Sequence, residues 1–314
     1  MTPRPPGPSV DGVVCVDLGG TRLRVAVFRP DGTILQLNVI DTPRDEPAAL
    51  VEAMRKALAE TAVRATAAVV GVPGPISYRD GTPLRLPNLP GWEDHVSAHR
   101  LSAELSLQVS IANDADLAAL GEHRFGAGRG CSDMVYVTSS TGVGAGVIIN
   151  GRLLHGRWSL AEAGHMVIDW RAGRTVEDLG SGTTLERLTG EDGATVTAKA
   201  RAGDAAAIEA FRDVAQAFAT GVHNLVHCFM PERVVIGGGV SQAGDLLLEP
   251  VRWQLDQCNM GCPTAGKDVV LASGGDDVGL LGAYALWRDA IQASPNVRNP
   301  DAPRDTQNPH GLNA

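Results

Sequence analysis

The chain has 314 residues, of which 44% are apolar and 20% charged, and a formal net charge of −9. This suits a globular protein of one large or two ordinary domains with a substantial core, and the acidic balance argues against a broad footprint on a nucleic-acid backbone. No run reaches the roughly 18–20 apolar residues of a membrane helix, and the opening MTPRPPGPSVDG lacks the apolar segment of a secretory signal, so a cytoplasmic protein without a membrane partner is expected.

Residues 1–10 and 294–314 are rich in Pro and polar residues and are expected to be disordered tails. The first structural signal is a pair of β-branched runs, Val13-Val14-Cys15-Val16 and Leu23 to Phe28, interrupted by Asp17-Leu18-Gly19-Gly20-Thr21. The glycines admit two readings. They can close a tight hairpin that needs positive φ, or they can let backbone N–H groups approach an anion beside Asp17 and Thr21. A third strand is predicted at 33–39, and Leu50, Val51, Met54 and Leu58 fall at helical spacing. A short buried-type strand at 67–72 stops at Pro73-Gly74-Pro75. Another follows at 109–112, then a helix carrying Leu117 and Leu120.

Strands at 134–138 and 146–149 flank a second glycine-rich turn, and Asn150-Gly151 folds the chain back into 152–154. A long helix is predicted from Ala205 to about Phe229, with Ile208, Phe211, Val214, Phe218, Val222 and Leu225 on its inner face. It ends before Pro231 and leads into a strand at 233–236, the run Gly237-Gly238-Gly239 and a last helix at 278–291. The pattern is α/β. The strand, glycine turn and strand of residues 13–28 return at 134–149, which suggests two related halves whose glycine turns face one cleft.

Several side chains carry possible chemistry. The second turn, Thr138 to Gly146, offers three glycines and several hydroxyls but is neither a Walker A loop nor G-x-G-x-x-G. Three glycine clusters, each after a β-rich run, suit a polyphosphate carried as its magnesium complex. Asn113-Asp114, between a strand and a helix, is either a helix cap or a cap that also supplies a proton acceptor. Glu162 and His165 share one face of a helical turn; they can grip adjacent hydroxyls or be a surface Glu and a packed His. His223 and His227 lie one turn apart without an evident third ligand and are read as helix packing. The five cysteines, Cys15, Cys131, Cys228, Cys258 and Cys262, suit buried free thiols in a reducing compartment.

Taken in order, Asp17 to Thr21, Thr138 to Gly146 and Val234 to Gly239 resemble the phosphate-1, phosphate-2 and adenosine elements of the sugar kinase/Hsp70/actin superfamily. More narrowly, residues 13–286 resemble the ROK family of repressors, open reading frames and sugar kinases, near its bacterial glucokinases. The resemblance is carried further by Pro87-Asn88-Leu89-Pro90-Gly91-Trp92, Ala112-Asn113-Asp114-Ala115-Asp116, the run 121–128, Glu162-Ala163-Gly164-His165 and the run 279–283. It implies a two-lobed ribonuclease-H-like (actin-like ATPase) α/β fold with a central cleft. Residues 11–113 plus 279–293 would form the small lobe and 114–278 the large one.

The resemblance further implies that ATP is held by Asp17, Gly19, Gly20, Thr21, Arg22, Thr141, Gly142, Gly144, Gly237, Gly238 and Gly239, with Mg²⁺ on the phosphates and, through water, on Asp17. Asp114 would be the catalytic base, and Asn88, Asn113, Asp114, Glu162, His165 and Glu177 would bind the sugar. The implied reaction is transfer of the γ-phosphate of ATP to the 6-hydroxyl of glucose or a glucose-like hexose, by a homodimer. Alternatives are a kinase of an amino or N-acetylated hexose (kanosamine, N-acetylmannosamine, N-acetylglucosamine) or a non-catalytic sugar-responsive regulator. Such regulators carry an added helix-turn-helix, and only a dozen residues precede the first strand here. The chain departs from many relatives at 164–177, where a cysteine-rich run that binds structural zinc is replaced by a shorter segment without cysteine. No zinc is therefore expected, with Trp170 the candidate for packing the His165 loop.

Overall fold

The computed structural model describes residues 11–293 except 62, 160–161, 258–260 and 262–263. The expected tails, Cys258 and Cys262 lie outside the described residues. β1 (Asp11–Leu18), β2 (Arg22–Phe28) and β3 (Ile34–Asp41) form an antiparallel meander. The helix α1 (Ala48–Ala59) carries the chain to β4 (Arg64–Val72), parallel to β1. The short hairpin β5 (Ile76–Ser77) and β6 (Thr82–Pro83) and the helix α2 (Ala98–Leu105) precede β7 (Gln108–Asn113), parallel to β4. The strand order is β3-β2-β1-β4-β7.

After α3 (Asp114–Phe125) the pattern repeats. β8 (Met134–Ser139), β9 (Val143–Ile149) and β10 (Arg152–Leu153) make a second meander. A small hairpin, β11 (Val167–Asp169) and β12 (Arg174–Thr175), leads into α4 (Val176–Gly180), α5 (Gly182–Thr189), α6 (Gly193–Arg201) and α7 (Ala205–Phe229). Then come β13 (Arg233–Gly237), α8 (Asp245–Gln257), β14 (Val269–Leu271) and α9 (Val278–Ala293). The second sheet runs β10-β9-β8-β13-β14, with the same pairing senses as the first. The duplication suggested by two glycine turns is thus a duplication of topology.

Burial explains the sequence patterns. Val13 to Val16 on β1 are fully buried because both faces of the first sheet are covered, one by Leu50 and Met54 of α1 and the other by α9. Asn150 and Gly151 both have positive φ, 52° and 70°, the backbone of a two-residue type I′ hairpin. The inner stripe of α7 holds as predicted at Phe211, Val214, Phe218, Val222 and Leu225. Ile208 does not: it is exposed, because Ala207, Ala210 and Phe211 carry the buried stripe at that end. The cysteines also depart from expectation. Cys15 is buried, but Cys131 is half-buried and Cys228 exposed on the polar side of α7.

The helices α3 and α9 lie between the two sheets. Leu117, Leu280, Ala283 and Tyr284 face the first sheet, whereas Ala119, Leu120 and Ala285 face the second. Their backbones meet at two glycines. A Cβ on Gly282 would lie 1.8 Å from the Leu117 carbonyl oxygen, and one on Gly121 would lie 2.2 Å from that of Val278. Gly282→Ala or Gly121→Ala must therefore push the helices apart, an expected loss of about 3 kcal/mol visible as a lower Tm. Gly193→Ala, whose added methyl meets open space, should leave Tm unchanged or slightly raised in the same thermal scans.

Candidate active site

Asp17 is the penultimate residue of β1, and the turn after the strand is closed by the Gly19 amide donating to the Arg22 carbonyl at 2.9 Å. Three further bonds hold the carbonyls of the turn. Thr42 donates its amide to Thr21 O (2.9 Å) and its hydroxyl to Gly19 O (2.7 Å), and Arg44 Nε donates to Gly20 O (2.7 Å). The amides of Gly20 and Thr21 have no protein partner among the described residues. The turn is a hairpin and, at the same time, a pair of unengaged donors. Gly20 is also required sterically, because its Cβ would fall 2.6 Å from that of Asn88. The Asn88 loop is itself anchored by buried Trp92, whose Nε1 donates to Arg44 O at 2.6 Å. Arg22 is exposed.

Asp17 is half-buried and lies cross-strand from Arg24. The Arg24 guanidinium pairs with Asp277 and lies 3.8 Å from Asp276, on the turn that starts α9. Burial raises the Asp17 pKa, Arg24 lowers it and Asp277 raises it. Gly279 lets α9 approach: its Cβ would sit 3.2 Å from Asp17 Oδ2.

The second turn is bound to the start of α5. The Ser140 carbonyl accepts from Gly182 N at 2.7 Å and the Thr141 carbonyl from Thr183 Oγ1 at 2.7 Å. A cavity of about 520 Å³ opens beside it, lined by Ser140, Thr141, Thr183, Phe211, Gly239 and Val240 among others. Of the third glycine cluster, only Gly239 lines this cavity. The Cβ position of Gly237 is taken by Tyr136, and Gly238 has a φ of 86° with the Ser139 carbonyl 2.2 Å from its Cβ position; both bring the end of β13 close to β8. Gly144 is likewise a packing glycine, against Ala115 of α3 (3.2 Å). Gly142 meets the Glu177 carboxylate, whose Oε2 accepts from Val143 N at 2.8 Å. The opposite wall, with Glu186, Thr197 and Arg201, was not foreseen, because two short helices without a motif build it.

On the other side of the cleft, Asn113 caps α3. Its Oδ1 accepts from Asp116 N (3.0 Å) and its Nδ2 donates to Gly74 O (3.0 Å). Asp114 opens the helix and accepts from Ala115 N at 2.8 Å. Burial, then the charges of Asp17 and Glu162, push its carboxyl up to about 7. Glu162 and His165 bracket one 3₁₀ turn and are solvent-accessible. The protein crowded around Glu162 still raises its pKa, which His165 lowers. Glu177, Glu162, Asp114 and Asp17 thus share one electrostatic neighbourhood. Asp116 is buried, and burial also pushes it up to about 7.

Trp170 does not hold the His165 loop. It is 76% exposed, with only the Arg171 guanidinium over its ring. Order comes from the β11–β12 pairing, from Val176 N donating to Met166 O (2.9 Å), and from Asp169 Oδ1 accepting the amides of Arg171 and Ala172. Among the described residues no group of three or more His, Cys, Asp or Glu could hold a metal ion. The His223 and His227 rings pack 4.3 Å apart.

Two sheets of one topology, with glycine turns and a central cleft, define the ribonuclease-H-like fold of the actin-like ATPases. The ROK family model matches residues 13–290, and the chain belongs to the ROK family. It is 31% identical to a glucokinase of Streptomyces coelicolor, over 87% of this chain and 96% of that one. Among solved structures it resembles the ROK hexokinase of Thermus thermophilus (TM-score 0.76, 32% identity, 90% of this chain and 99% of that one). It also resembles a ROK glucokinase of Streptomyces griseus in complex with glucose and AMPPNP (TM-score 0.72, 30% identity, 88% and 98%).

The raised carboxyls have a consequence for stability. In the fold Asp114 and Asp116 keep their protons up to about pH 7, whereas unfolded they release them near pH 4. Between these values the folded state binds more protons, so this contribution to stability is lost as pH rises. Asp114→Asn is expected to raise Tm near pH 8 by about 2–5 °C, with the gain vanishing near pH 4; melting curves across that range check it.

Proposed function

We propose that this chain is an ATP-dependent hexose kinase that transfers the γ-phosphoryl group to the 6-hydroxyl of glucose or a glucose-like sugar. The observation that carries the reading is Asp114, half-buried at the start of α3, with a pKa near 7 and Asp17 and Glu162 as its charged neighbours. A carboxyl tuned to neutral pH is an effective proton acceptor. The relatives named above act on glucose or hexoses, and they agree with it.

In this reading the unengaged amides of Gly20 and Thr21 meet the phosphates, with Gly19 shaping the turn and exposed Arg22 adding positive charge. Thr141 stands at the mouth of the cavity that receives adenosine, with Gly142 and Gly239 beside it. The donor set fits magnesium: Asp17 is a hard oxygen donor, half-buried, with Arg24 directed away to Asp277. Asp17 would hold the ion, which would supply neutralisation of phosphate charge. Glu162 and His165 grip adjacent sugar hydroxyls. Asn88 and Asn113 border the sugar, and Glu177 offers its Oε1. As the sugar oxygen attacks phosphorus, its proton passes to the Asp114 carboxylate and ADP departs. Closure of the cleft excludes water.

We keep the lobes as residues 11–113 with 279–293 and 114–278, and we place the protein in the cytoplasm as a homodimer without a nucleic-acid partner. Among the described residues no helix is long and apolar enough to cross a membrane. A second reading, a kinase of an amino or N-acetylated hexose, is favoured by the β11–β12 hairpin, which supports His165 differently from a zinc loop.

A coupled ADP-release assay over a hexose panel, scored by kcat/KM, separates the two, with glucose expected to rank first. In the same assay Asp114→Asn is expected to lose at least ~100-fold in kcat while staying folded. Wild-type kcat/KM should fall below about pH 7, where Asp114 becomes protonated. Near-normal turnover in the variant would refute the assignment.

A further inference from the structure

We infer that Tyr78 and Asp116 form a positioning pair for phosphoryl transfer, fixing the strand-to-helix turn that carries Asp114; this rests on the kinase reading above. Asp116 is 1% exposed, two residues beyond Asp114 on α3. Its Oδ2 accepts from the Tyr78 hydroxyl at 2.7 Å, and its Oδ1 is enclosed without a partner. The same hydroxyl accepts from the Asn113 amide at 3.4 Å, while Asn113 Oδ1 accepts from the Asp116 amide. One phenol therefore closes a ring of bonds around residues 113–116.

Tyr78 is itself held from the other half of the molecule. The His155 ring packs on it at 4.5 Å, and its amide donates to Arg157 O at 3.0 Å. Around it, Ser77 pairs with Trp158, and Ser159 N donates to Ile76 O at 3.0 Å. This crossing segment leads within three residues to Glu162. Hence Tyr78 sits where the turn that presents Asp114 meets the crossing segment at residues 155–159. A buried carboxylate with one oxygen unpartnered is costly. Its single donor is therefore an orienting bond whose loss nothing else in the ring replaces.

The titratable groups around the pair are Asp114 on the same helix, Asp17 near the end of β1, Glu162 beyond the crossing segment, the His155 ring packed on Tyr78, and Tyr78 itself. Asp114 and Asp116 lose their protons as a coupled pair. Asp116→Asn removes one negative charge beside Asp114, which lowers the midpoint of the Asp114 titration.

The test uses Tyr78→Phe, which keeps the ring, and Asp116→Asn, which keeps the shape. Both are expected to lower kcat about 10- to 100-fold through misplacement of Asp114, with sugar KM within about threefold. Asp116→Asn should also move the acid limb of the kcat/KM profile to lower pH. Hydrogen exchange at amides 113–116, measured without ligands, should quicken about tenfold in both variants while Tm shows them folded. Undiminished kcat in both variants, or unchanged exchange at those amides, overturns the inference. A fall in kcat with an equal rise in KM and an unmoved pH limb also overturns it, since that pattern marks a structural role alone. No hexose-dependent ADP release by the wild-type chain would instead sink the kinase reading.

Discussion

Two helices crossing at near backbone contact set the geometry of this protein. Gly121 and Gly282 remove the Cβ atoms that would otherwise collide with the Val278 and Leu117 carbonyls. Since α3 begins at Asp114 and α9 begins beside Asp17, the crossing fixes where both carboxylates stand. Buried Glu122 locks the arrangement from the far end of α3. Its carboxylate accepts the amides of Ala127 (2.7 Å), Ser273 (3.0 Å) and Gly274 (2.7 Å), the last two on the approach to α9. Arg24, paired with Asp277, ties the same approach to β2. The relation between the Asp17–Thr21 turn and Asp114 is thus set by rigid elements rather than by a loop, which suits the proposed reaction, since phosphoryl transfer is sensitive to ångström-scale placement.

The cleft so formed is crowded with negative charge. Asp17, Asp114 and Glu162 are all held above their ordinary pKa values, burial being the first cause in each case. Folding gains nothing from this arrangement, and local conflicts of this kind concentrate at functional sites. In the proposed kinase reading, a nucleotide carried with its magnesium and a sugar that brings hydroxyl donors would relieve that conflict. Ligands that bind only the folded state then add stability by mass action. Asp114 is the one of these groups whose pKa reaches neutrality, because burial and the charges of Asp17 and Glu162 outweigh the Ala115 amide, with no cation to oppose them.

Much of this was legible along the chain. Val13 to Val16 read as a buried strand because a sheet covered on both faces needs no alternation. Asn150-Gly151 read as a turn because few other pairs accept two positive φ values. The candidate site residues were read from motifs that a chain position can carry, such as Asp17 to Thr21 and Asn113-Asp114. What escaped were contacts between distant segments. Tyr78 and Asp116 are 38 residues apart and meet only because β5 folds beside the start of α3. Gly237 and Gly238 look like a ligand loop, yet the nearest atoms to their missing side chains belong to β8. The α5–α6 wall of the cavity has no periodic or glycine signal. Trp170 looked like a packing residue because large aromatics usually are, but it sits at a hairpin tip.

The segment behind His165 is ordered by protein contacts. A structural zinc can supply on the order of 10 kcal/mol to a small loop. A two-stranded hairpin alone is marginal in water, so β11–β12 cannot be the whole support. The remainder comes from α4, which the hairpin feeds directly. Thr175 and Asp178 cap its start reciprocally. Gly180 lies with its Cβ position 2.8 Å from Phe218 N, and Gly221 of α7 faces Val176 at 2.8 Å. The two glycines let α4 press onto the longest helix of the second half, while Met166 and Ile168 pack against the same core. His165 is therefore steadied by helix packing transmitted through one backbone bond, Val176 N to Met166 O. Its position then follows core geometry, so side chains on α4 and α7 that do not touch His165 still set where the imidazole stands.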